Sequence, residues 1–140
     1  MFEWEEKLSV GIAEIDEQHK RLLEIGRELV SILESIAEGY DEYDELKRLI
    51  SNLFDYTIYH FSEEEELMDK SSFDGLSVHR LQHEKFEQKI EEIDLEELDR
   101  NQYNYTMEIL DFLSDWIVNH ITKIDILYTT QVKDYLAGKR

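Results

Sequence analysis

Apolar residues recur at intervals of three and four along most of the chain, the spacing that places side chains on one face of an α-helix. The first 11 residues carry apolar side chains without a sustained period and are predicted to form an arm packed over the body. The pattern predicts an all-α protein whose helices form an up-down-up-down four-helix bundle. The predicted helices cover about residues 12–37, 41–70, 76–93 and 101–136.

At 140 residues the chain has the size of one domain, and we expect residues 1–140 to form a single unit because no repeat or linker divides them. The chain lacks cysteine, which excludes disulfides, thiolate metal ligands and cysteine nucleophiles. It also lacks proline, and 41% of its residues are hydrophobic and 35% charged, a composition dominated by helix formers.

The formal net charge is −19 at pH 7. Such an acidic surface repels phosphate backbones and anionic lipids, so we predict that nucleic acids and membrane surfaces are not partners. The sequence has neither a signal peptide nor an apolar run near the roughly 20 residues that span a bilayer, and it is predicted to be cytoplasmic.

The chain has five histidines, and each falls on the apolar face of a predicted helix. His60 and Glu64 are four residues apart, so the imidazole and the carboxylate lie on one helical face and can contact the same ion. Polar groups on an inward face are costly without partners, and we interpret this pair as a corner of a metal site. The neighbouring Glu63, Glu65 and Glu66 point away from this face and are predicted to face solvent.

His79 and His83 have the same spacing on the third helix, although such a pair alone often occurs by chance. His19, taken alone, is more typical of a buried histidine hydrogen-bonded to a neighbour than of a metal ligand. His120 lies on the fourth helix, and Asp125 follows it by five residues. In a continuous helix this spacing brings the carboxylate in from the other edge of the apolar face.

Five imidazoles and two carboxylates exceed the roughly four to six ligands that one ion takes. Two ions bridged by Glu64 and Asp125 would use all of them and leave one coordination position open. The pattern therefore predicts a two-metal centre. Its candidate ligands are His19, His60, Glu64, His79, His83, His120 and Asp125.

The order of these residues, together with the segment 10–20, resembles that of bacterial hemerythrins over nearly the whole chain. The chain departs from the family at Phe73 and Asp74, where many members have a Tyr-Pro pair, which affects the turn before the third helix but not the ligands. The resemblance implies two iron ions bridged by Glu64, Asp125 and an oxo or hydroxo group. It implies that one iron is held by His79, His83 and His120 and the other by His19 and His60.

The second iron would then be one ligand short, and the resemblance implies that O₂ binds there. Our hypothesis is that O₂ takes two electrons, becomes a hydroperoxide with the bridging proton, and leaves by the reverse path. Two ferrous ions carry four positive charges, and two carboxylates with a hydroxide remove only three, so such a histidine-rich site should not reach high-valent states. The pocket around O₂ is expected to be walled by Ile15, Leu22, Trp116, Ile117 and Ile121.

The resulting hypothesis is an O₂-binding protein for storage, delivery or sensing, and not an enzyme. One alternative is a diiron enzyme that uses an electron donor to reduce peroxide or nitric oxide. Another is a sensory module of a signalling system, with an unknown partner. Zinc in place of iron, and a bundle whose histidines bind nothing, are further alternatives.

Overall fold

The computed structural model of the chain describes residues 1–138, so Lys139 and Arg140 of the predicted domain lie outside it. The described residues form six α-helices and two short 3-10 turns, with no strand among them. The turns are Glu6–Leu8 and Asp125–Tyr128. The helices are α1 (Ala13–Ala37), α2 (Tyr43–Lys70), α3 (Leu76–Glu91), α4 (Leu95–Arg100), α5 (Gln102–Lys123) and α6 (Thr129–Leu136).

The long helices α1, α2, α3 and α5 form the bundle, which confirms the predicted fold class. Helix α1 packs against α2 and α5, and α2 packs against α3. Helices α3 and α5 meet through aromatic side chains, with the ring centroids of Phe86 and Phe112 5.7 Å apart. The inward faces supply a continuous core of leucine and isoleucine side chains that surrounds the polar residues described below.

The N-terminal arm is held on the bundle by both its backbone and its side chains. The carboxylate of Asp16 accepts hydrogen bonds from the backbone N–H of Val10 (2.8 Å) and the hydroxyl of Ser9 (2.5 Å). Arg27 donates to the backbone carbonyl of Phe2 (2.6 Å). The ring of Phe2 is buried against Gly26 of α1, where a larger residue would collide with it.

The C-terminal region differs from the single helix predicted over residues 101–136. Helix α5 ends at Lys123, and Ile124 has φ −111° and ψ −55°, which redirects the chain into the 3-10 turn and then α6. No glycine or proline marks this break. Asp125 is fully buried and contacts three histidines, so tertiary contacts outweigh local helical preference here.

The remaining helix limits differ from the predicted ones by about two residues, as expected for frayed ends. Helix α2 begins at Tyr43 and α3 ends at Glu91. The predicted link before the fourth helix contains α4, whose first turn is capped by Asp94, which accepts from the N–H groups of Glu96 and Glu97. None of the helices in residues 1–138 has the length and hydropathy needed to span a bilayer.

The contact between the arm and α1 predicts opposite effects of one substitution in two backgrounds. A Cβ at position 26 would lie 2.5 Å from the ring of Phe2, so Gly26→Ala should displace the arm. The lost burial of Phe2, about 1.5–3 kcal/mol, exceeds the gain of about 1 kcal/mol from replacing a helical glycine. We expect denaturant unfolding to show a net loss of about 0.5–2 kcal/mol.

In the Phe2→Ala background the collision is absent, and Gly26→Ala should then stabilise the protein by about 1 kcal/mol. Equal effects in the two backgrounds would show that Phe2 does not pack against Gly26.

Candidate metal centre

The structure brings all seven predicted site residues into one buried cluster near one end of the bundle, and each is at most 5% exposed. Each of the four long helices contributes at least one residue, and the 3-10 turn after α5 contributes another. The residues are His19 from α1, His60 and Glu64 from α2, His79 and His83 from α3, His120 from α5, and Asp125 from the turn.

Asp125 lies between histidines of three helices. Its Oδ1 is 2.9 Å from His79 Nε2 and 3.0 Å from His120 Nε2. Its Oδ2 is 3.1 Å from His19 Nε2 on the opposite side. The break at Ile124 gives the carboxylate this position, so Asp125 does not reach the site by the continuous-helix route predicted from its spacing to His120.

Glu64 occupies a corresponding position on α2. Its Oε1 is 2.9 Å from His60 Nε2 and 3.6 Å from His83 Nε2. Its Oε2 accepts a hydrogen bond of 2.6 Å from the hydroxyl of Tyr128. Burial, with the nearby charge of Glu64, raises the pKa of Tyr128 well above its usual value, so Tyr128 is protonated and acts as the donor.

The ligand-type atoms fall into two groups that share Glu64. Within each group the nitrogen and oxygen atoms lie within 4.8 Å of one another, close enough to surround one ion. The larger group is Glu64, His79, His83, His120 and Asp125, and the smaller is His19, His60 and Glu64.

Two of the histidines are oriented by side chains on their outer nitrogen. His60 Nδ1 is 2.6 Å from Gln18 Oε1, and His83 Nδ1 is 2.8 Å from Glu65 Oε2. Both partners are acceptors, so Nδ1 carries the proton and Nε2 presents a lone pair to the centre. Arg80 Nε donates to the other oxygen of Glu65 (2.9 Å).

These supporting residues were not identified from the sequence. The prediction that Glu65 faces solvent is wrong, because its side chain is directed towards α3 and contacts His83. Gln18 directly precedes His19, within the segment 10–20 that resembles the bacterial hemerythrins, and Tyr128 lies three residues after Asp125. Neither spacing indicated that these side chains contact a ligand residue. Their roles depend on how α1, α3 and the 3-10 turn pack against α2.

Aromatic rings stack on the imidazole faces of two histidines. Phe61 is parallel to His83, with centroids 3.7 Å apart, and Trp116 is parallel to His120 at 4.2 Å. Trp116 is half-buried and lines a surface groove of about 390 Å³ that reaches His120. The other residues predicted to wall the pocket are buried in the core: Ile15, Leu22, Ile117 and Ile121.

The buried carboxylates remain ionised in this environment. Burial and the charge of Asp125 favour protonation of Glu64, but His60 and His19 outweigh them and lower its pKa. Burial likewise opposes ionisation of Asp125, but contacts with His120, His19 and His79 hold its pKa well below the usual value. Burial lowers the pKa of His83, which favours the neutral imidazole that a metal requires.

The buried side-chain atoms without a hydrogen bond in residues 1–138 are concentrated in this cluster. Apart from Thr106 Oγ1, all of them belong to His19, His79, His83, His120, Glu64 and Asp125. Their Nε2 and carboxylate oxygen atoms lie 2.9–3.6 Å apart. In the neutral state that a metal ligand requires, Nε2 and a carboxylate oxygen offer only lone pairs to each other. A buried cation would satisfy this arrangement, so the residues fit a metal centre.

Comparisons with known proteins agree with this geometry. Residues 10–130 match the family model described as hemerythrin HHE cation binding domain. Bacteriohemerythrin of Clostridium acetobutylicum is 36% identical over 129 residues, covering 91% of this chain and 98% of that protein. Bacteriohemerythrin of Stenotrophomonas maltophilia is 33% identical over 135 residues, covering 95% and 82%. A crystal structure of wild-type hemerythrin aligns with TM-score 0.69 at 25% identity, covering 86% of this chain and 88% of that one.

Removing one shared carboxylate should lower the metal content of the protein. Glu64 faces histidines of both groups, so Glu64→Ala is expected to leave fewer bound ions per chain, measured by elemental analysis after metal loading and gel filtration. The matched control is Glu66→Ala on the same helix, whose side chain is exposed and pairs with Lys70. A Glu64→Ala protein with an unchanged metal content would refute the role of Glu64.

Proposed function

Because the chain belongs to the hemerythrin family, we propose that it is a non-haem diiron protein that binds O₂ reversibly and is not an enzyme. Its roles would be O₂ storage, delivery or sensing in the cytoplasm. The observation that carries the proposal is the convergence of five histidines and two carboxylates. Four of these histidines and both carboxylates have buried atoms without hydrogen bonds.

The proposed division of ligands follows the contacts of Asp125. Its Oδ1 lies with His79 and His120, and its Oδ2 lies with His19. One iron would be held by His79, His83 and His120, and the other by His19 and His60. Glu64 and Asp125 would be shared by both. The second position has one histidine fewer, which leaves room for a small ligand such as O₂.

When bound, the two iron ions would supply the redox chemistry by which O₂ is captured and released. The protein supplies neutral imidazole donors, and only two carboxylates lie among the candidate ligands. Fewer anionic ligands stabilise high-valent iron less, so this set favours reversible binding over attack on an organic substrate. The surrounding isoleucine and leucine side chains exclude water, which slows irreversible oxidation of the site.

The proposal is tested by counting iron per chain and by adding O₂ to the anaerobically reduced protein while recording its visible spectrum. We expect two irons per chain and an absorption band that appears with O₂ and disappears when O₂ is removed. Immediate conversion to a stable oxidised form without such a band would overturn reversible binding. Steady turnover of peroxide or nitric oxide with an electron donor would instead identify the protein as a redox enzyme.

Trp116 is expected to protect the centre from water. Trp116→Leu removes the ring that covers His120 and opens the adjoining groove towards it. Water should then reach the centre more readily, and the protein should lose its O₂-dependent absorption band faster. The measurement is the first-order decay of its visible band in air.

The control for this effect is Phe112→Leu. Phe112 lines the same groove one turn earlier on α5 but stacks on Phe86 instead of a histidine. We expect its decay rate to remain at the unsubstituted value. Equal acceleration by both substitutions would indicate general loosening of α5 instead of a specific role for Trp116.

A further inference from the structure

The two metal positions differ in the side chains that support their histidines. His60 in the smaller group donates to the neutral amide of Gln18, whereas His83 in the larger group donates to the carboxylate of Glu65. The two contacts have similar lengths, 2.6 and 2.8 Å, so they differ mainly in the charge of the acceptor.

Glu65 is itself fixed by a cation at the protein surface. Arg80 contacts one carboxylate oxygen at 2.9 Å, and His83 contacts the other at 2.8 Å. Burial increases from Arg80 through Glu65 to His83, since the side chain of Arg80 is 49% exposed, that of Glu65 21% and that of His83 1%. Phe61 stacks on the face of the His83 ring, so both the tilt and the rotation of the imidazole are constrained.

A carboxylate that accepts a hydrogen bond from Nδ1–H has three effects on a metal-binding histidine. It fixes the tautomer with a free Nε2, it fixes the ring orientation, and its negative charge makes Nε2 a stronger donor. A neutral amide provides the first two effects without the third. Loss of such a supporting group typically weakens metal binding by about 10–100-fold.

We infer that Glu65, clamped by Arg80, is a positioning residue that makes the group containing His79, His83 and His120 the tighter of the two metal positions. This inference rests on the proposed two-metal centre and adds an order to it: the first ion occupies the position supported by the carboxylate. The position supported by Gln18 fills second.

The experiment is a titration of the metal-free 140-residue chain with Zn²⁺ in competition with a chromophoric chelator, which gives both dissociation constants without O₂ or redox chemistry. Glu65→Ala should weaken binding of the first ion by about 10–100-fold. Glu65→Gln keeps an acceptor but loses the charge, so its effect should be smaller. Glu66→Gln removes the same charge from the adjacent residue, which pairs with Lys70, and should leave both constants unchanged.

Two further variants separate the contact with His83 from other effects. Glu65→Ala leaves the charge of Arg80 without its partner, so the double variant Glu65→Ala/Arg80→Ala should still bind the first ion weakly. Gln18→Glu gives His60 a carboxylate acceptor and should tighten the second ion. A structural role of Glu65 alone would not produce this reciprocal change.

Nitrogen-15 NMR of the metal-free protein supplies a readout that needs no bound metal. The His83 signals should report a proton on Nδ1, and Glu65→Ala should change this tautomer preference while Glu66→Gln does not. If the unsubstituted chain binds no metal, the proposed function and this inference both fail. If it binds two ions and Glu65→Ala binds them equally well with an unchanged His83 signal, only the inference is overturned.

Discussion

The structure depends on the close approach of imidazole nitrogens and carboxylate oxygens inside the bundle. In the neutral state that metal ligands require, His83 and His60 carry their ring protons on the outer nitrogens. Their inner nitrogens then face Oε1 of Glu64, at 3.6 and 2.9 Å, without a hydrogen atom between them. Such contacts repel in a dry interior, where screening is weak. A cation converts each of them into an attraction. The chain thus places a cost inside its own core that metal binding removes.

The fold of the bundle confines this unfavourable repulsion to the candidate metal ligands. Buried leucine and isoleucine side chains pack between the four long helices around the polar cluster. The histidines extend from the same inward faces, and their outer nitrogens and rings are held by Gln18, Glu65, Phe61 and Trp116. The apolar packing sets the backbone positions, and the supporting groups then set the direction of each lone pair.

Much of this arrangement could be predicted from the sequence because helical periodicity is a local signal. The spacing of His60 with Glu64, and of His79 with His83, indicates a shared face before any tertiary contact is known. The break at Ile124 could not be predicted, because no local breaker marks it and the buried position of Asp125 depends on histidines from other helices. The contact of Glu65 with His83 was missed for the same reason, since an acidic run resembles a solvated surface until α3 is placed beside it.

The contact between His19 and Asp125 joins residues near the two ends of the described chain. A centre that needs both of them has a high contact order and cannot assemble from any single helical hairpin. An ion bound by both residues would favour the folded chain over the unfolded chain, since only the folded chain brings them together. It would act as a non-covalent cross-link between these two distant segments, so its release should become easier wherever they separate.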